Sequence, residues 1–109
     1  MTWTTLVALM SLASPMIEVS KGDSITIARL QYEGGGDWYA NPSSLPNLLA
    51  AIRERTGIPV ARREVNIRPL DPTLRDYPYL YLTGHGDVRF SPAEREALRN
   101  YLLAGGFLH

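Results

Sequence analysis

The 109-residue chain contains no cysteine. Within these residues that excludes disulfides, thiolate metal sites and a cysteine nucleophile. It leaves the compartment open, because an exported protein does not need disulfides. Charge of one sign is also missing: eleven Lys and Arg cancel eleven Asp and Glu. A nucleic-acid surface or an acidic tail depends on excess or clustered charge. The one basic cluster, "ARRE" at 61–64, reads as a solvated strand or loop face, so no nucleic-acid partner is expected. Histidine is scarce, with only His85 and His109. A zinc site from His85, Asp87 and His109 is chemically conceivable. The histidines lack H-x-H or H-x-x-x-H spacing, however, and no metal is expected. No apolar run reaches the roughly 20 residues of a membrane-spanning helix. G-x-G-x-x-G, GK[ST] and G-x-S-x-G are all absent, so neither a nucleotide cofactor nor a nucleophile elbow is expected.

What is present suits one small α/β domain. The chain is 45% apolar and 20% charged, and too short for two cores. "TLVALMSLASPMI" (5–17) has the length of a signal-peptide apolar region, with Ser11 and Ala13 at the spacing a signal peptidase reads. Its preceding "MTWTT" carries no Lys or Arg, which leaves an amphipathic helix as the alternative. Residues 1–22 are therefore read as a signal peptide or N-terminal extension, and the expected location is the periplasm or cell envelope. The alternative is the cytoplasm.

From residue 23 onward strands and helices alternate. "SITIARLQY" (24–32) is β-branched, with Ile25 and Ile27 on one face and Ala28, Leu30 and Tyr32 on the other, an inner strand. "EGGGDWYANPSS" (33–44) is a loop. A helix follows, capped by Ser43 or Ser44, with Pro46 in its first turn, an apolar stripe of Leu45, Leu48, Leu49 and Ile52, and Gly57 at its end. "IPVARREVNI" (58–67) is a second strand, polar enough for an edge, and "DPTLRDY" (71–77) is a capped turn. "YPYLYLTG" (77–84) reads as a central strand buried on both faces. Ser91, Pro92 and Glu94 form a capping box before a helix whose buried stripe is Ala97, Leu98, Tyr101 and Leu102. Gly105 and Gly106 stop that helix, and "FLH" (107–109) opens a fourth strand.

This β–α–β–β–α–β order predicts a parallel sheet with helices on both faces and a flavodoxin-like strand order 2-1-3-4. It also reads as the first half of a larger domain, cut in its fourth strand. Ligands of such sheets bind beyond the carboxyl ends of the strands, where strand order reverses. The loops "EGGGDWYANPSS" and "GHGDVRFS" meet there, bringing Asp37, Trp38, Tyr39, His85, Asp87 and Arg89 into one expected ligand-binding crevice. Glu33 and Asp37 would repel a phosphate on the glycines. Trp38 and Tyr39 offer apolar faces with polar tips, suited to a sugar or peptide. The bland alternatives are Trp38 folded onto the core and His85 as a turn residue bonded to a neighbouring oxygen.

"ARLQYEGGGDWYANPSSLPNLLAAIRERTGIPV" and "DYPYLYLTGHGDVRFSPAEREALRNYLLAGGFLH" resemble the bacterial domain-of-unknown-function family 4159 over residues 26–109. The GGDWY-type and TGHG loops carry the resemblance. It implies a fold like that of class I glutamine amidotransferases and an exported or membrane-associated protein, and it supplies no activity. Three functions remain in view. The leading one is a non-catalytic envelope module binding a small polar ligand. The second is a hydrolase or transferase with His85 as general base, since histidine suits proton transfer at physiological pH. The third is a structural domain of a larger assembly.

Overall fold

The computed structural model describes residues 24–109. The apolar run at 5–17 and the proposed signal peptide lie outside the described residues. Four strands and two α-helices alternate: β1 (Ile27–Leu30), α1 (Ser44–Thr56), β2 (Val65–Ile67), β3 (Tyr79–Tyr81), α2 (Pro92–Leu103) and β4 (Phe107–Leu108). A 3-10 turn, Leu74–Asp76, stands between β2 and β3. The sheet runs β2-β1-β3-β4, and every pairing is parallel. That is the flavodoxin-like order expected from the alternation of elements.

The alternation of β1 builds three layers. Ile27 packs with Leu45 and Leu49 of α1 and with Val60. Ala28 and Leu30 point the other way, into a cluster with Ile67, Leu74, Leu80 and Tyr101 of α2. Each fully buried Leu contributes about 1.5–3 kcal/mol, so Leu30, Leu45, Leu49 and Leu80 dominate the packing.

Four local expectations need correction. The second strand is not continuous from 58 to 67. Ile25 bridges Val60, but Ala28 pairs with Val65, so the register slips by two residues between them. Arg62 and Arg63 are exposed in that kink, and the Arg63 carbonyl accepts from Thr26 Oγ1 at 2.6 Å. A charged pair has no place in a ladder against a buried strand, and the chain loops it out. β3 is fully buried only at Leu80, while Tyr79 and Tyr81 are half-buried, because α1 covers the β1 side of that face. Leu102 is exposed, so the buried stripe of α2 narrows to Tyr101 with Ala97 and Leu98 half-buried. The α1 start has no side-chain cap: Ser43 is helical, and Ser44 Oγ donates to the Asn41 carbonyl instead.

Candidate functional site

The loops after β1 and β3 meet at the carboxyl end of the sheet and join through their main chains. Gly36 N–H donates to the Asp87 carbonyl at 3.0 Å, Asp37 N–H to the His85 carbonyl at 3.0 Å, and Arg89 N–H to the Glu33 carbonyl at 2.7 Å. Two glycines make this approach possible. Gly84 has φ +138°, and a Cβ there would overlap the Tyr32 hydroxyl and stand 2.9 Å from the Asp37 carbonyl oxygen. A Cβ on Gly36 would meet the Asp87 carbonyl at 2.8 Å. Tyr32 is buried beneath, its hydroxyl donating to the Thr83 carbonyl at 3.0 Å. Burial and then the Asp37 carboxylate push the Tyr32 phenol up from its ordinary value.

His85 is held rather than loose. Its backbone N–H donates to Asp37 Oδ1, and its Nδ1 lies 3.2 Å from Asp37 Oδ2. These bonds, the backbone one foremost, hold the Asp37 carboxyl below the usual carboxylate range. The His85 side chain is 87% exposed against 34% for Asp37, so the ring stands in solvent on an acidic anchor. Asp87 and Arg89 enter the assembly through main-chain atoms, with exposed side chains.

Trp38 and Tyr39 turn to a different feature. Their rings stack edge-on, 5.5 Å apart, and line a cavity of about 170 Å³ with Arg29, Pro42, Glu64 and Asn66. It lies over β1 and β2, and His85 is not among its lining residues. Its most buried member is Arg29, on β1, with a side chain only 3% exposed. Arg29 Nη1 donates to the carbonyls of Ala40 at 2.9 Å and Trp38 at 3.3 Å, and Nη2 to that of Asn41 at 3.4 Å. The guanidinium also rests 5.5 Å from the centre of the Tyr81 ring. A buried cation must be compensated; the loop carbonyls do so by hydrogen bonding, which clamps the aromatic loop onto β1, and the Glu64 carboxylate, 3.8 Å away, does so by charge.

A family model for a domain of unknown function, DUF4159, matches residues 26–109, which include both loops and the cavity. The chain belongs to the DUF4159 family. No curated protein matches it. The six residues expected in one crevice thus divide in this DUF4159 chain: Asp37 and His85 form one pair, Trp38 and Tyr39 serve the cavity, and Asp87 and Arg89 supply backbone. Sequence reasoning missed Arg29, Glu64 and Asn66. Arg29 carried a readable signal, a lone charge in the middle of "ITIARLQY", where a buried strand tolerates one only with partners. Among the described residues no three His, Asp or Glu side chains converge as metal ligands, and no helix is long and apolar enough to cross a membrane.

Proposed function

We propose that this DUF4159 domain is a non-catalytic binding module for a small polar ligand, exported to the cell envelope and related in fold to the amidotransferase-like domains. One observation carries the binding reading. An aromatic pair, Trp38 and Tyr39, walls a cavity with Pro42 over β1 and β2, where Arg29, Glu64 and Asn66 supply the polar groups. Such a mixture of apolar faces and a few placed polar groups is what ligand sites use. The parallel 2-1-3-4 order supports the kinship, and the run at 5–17 supports export. Calorimetric titration with a panel of monosaccharides and dipeptides tests binding. Trp38→Ala should abolish the saturable heat while His85→Ala leaves it intact. N-terminal sequencing of the protein recovered from the periplasm should begin after Ala13.

The His85–Asp37 pair favours a second reading. A carboxylate on Nδ1 orients an imidazole so that Nε2 can accept a proton, the arrangement of a general base. Activated-ester hydrolysis that disappears in both His85→Ala and Asp37→Asn would support it. The ring's exposure weighs against it, because an enclosed site strengthens the electrostatics of proton transfer.

A further inference from the structure

Glu64 carries a buried polar atom left without a partner among the described residues. Its side chain is only 13% exposed, and its Oε2 stands 3.8 Å from Arg29 Nη2, too far for a hydrogen bond. Its Oε1 is buried with no hydrogen-bond partner among the described residues. A buried carboxylate oxygen left unpaired is costly. Arg29 directs three of its N–H groups to the loop carbonyls, and none of its donors reaches Glu64 Oε1. Glu64 itself lines the cavity, together with Trp38, Tyr39 and the exposed Asn66.

From this we infer that the cavity is a subsite for one neutral, hydroxyl-bearing ring, a monosaccharide unit, with ring hydroxyls donating to Glu64 and exchanging hydrogen bonds with Asn66. The inference rests on the binding-module reading and names its ligand class. Three features select that class. Arg29 and Glu64 cancel in charge, which disfavours a charged ligand. An unpaired acceptor calls for a donor, and a hydroxyl supplies one without bringing charge. The terminal torsion of a glutamate is soft, so Oε1 can turn onto a ligand at little cost. Trp38 and Tyr39 offer apolar surface to the C–H face of a sugar ring. The volume, about 170 Å³, is below that of ordinary drug-sized pockets, which limits the subsite to a single ring.

The test is a ¹H–¹⁵N NMR titration of the full chain with glucose, galactose, glucuronate and glycylglycine. Glucose or galactose should shift the Trp38 indole and Asn66 amide signals saturably and leave His85 unmoved. Glucuronate, whose carboxylate would meet Glu64, should bind at least about tenfold more weakly. Glu64→Gln and the exposed Asn66→Ala, each checked for a folded spectrum, should each weaken the neutral sugar, Glu64→Gln by about tenfold or more, the scale of a hydrogen bond to a charged group. Unchanged affinity in both folded variants would overturn the assignment. Glycylglycine shifting the Trp38 signal where no sugar does would overturn the sugar class and leave the binding module standing. If no probe moves that signal, both readings fall.

Discussion

At the scale of single residues, the contact between Asp37 and His85 makes a pH-dependent contribution of definite sign. Hydrogen bonds from His85 hold the folded Asp37 carboxyl below its ordinary value. A carboxyl depressed by folding stabilises the native state above its unfolded pKa of about 3.9. That contribution is lost as pH falls through the lower, folded value, because the unfolded chain then binds more protons. Urea unfolding of Asp37→Asn beside the parent, from pH 3 to pH 7, should show a shallower acid limb in the variant and lower stability above pH 5. Equal acid limbs would mean that the two loops are not tied through this carboxylate. The residue scale also answers why a histidine sits between two glycines. Gly84 lets the loop close over Tyr32, and Gly86, with φ +97°, continues the turn past His85.

At the scale of elements, the two helices begin differently, and the difference is measurable. Ser91 accepts from Glu94 N–H at 3.1 Å, and Glu94 Oε1 accepts from Ser91 N–H at 2.8 Å, the full capping box. Ser43 makes no side-chain cap. Thermal or urea melts should therefore assign about 1 kcal/mol to Ser91→Ala and only a few tenths to Ser43→Ala. Equal costs would contradict the asymmetry. The capping box was legible because it is a local pattern: a cap residue, Pro at the first helical position and Glu at the third. The α1 start had two candidate serines and no Glu at the right spacing, so local rules left the choice to the loop. Asn41 decided it, with φ +57° and a carbonyl that takes the Ser44 hydroxyl and an Arg29 donor.

At the scale of the whole molecule, cover is uneven. Leu102, Leu103, Phe107 and Leu108 are exposed near one another in sequence, at the end of α2 and on β4. Among the described residues β4 pairs only with β3, so its other edge presents unpaired backbone groups. Exposed apolar edges of this kind promote association. Sedimentation of the purified 109-residue chain is expected to show self-association that grows with concentration, and Phe107→Glu should shift it toward monomer. A parent chain that stays monomeric and melts in one sharp transition would show that this surface is tolerated as it stands.

By itself the sequence determined the order of elements, the parallel sheet, the strand order, the faces of β1 and the capping box of α2. Each of these follows from periodicity, local caps or the handedness of crossovers, which act over a few residues or through general rules. It also brought the Gly-rich and Gly-His-Gly loops to one end of the sheet. Only the tertiary structure decided how the side chains of those loops divide. Asp37 and Trp38 are adjacent in sequence, yet one binds His85 and the other faces Arg29 and Glu64, and no one-dimensional pattern encodes which way a loop residue turns. The kink at Arg62 and Arg63, the half-open face of β3 and the unpaired Glu64 oxygen are of the same kind. They arise from contacts between residues far apart in sequence, where burial, ion pairing and close backbone approach outweigh local preference.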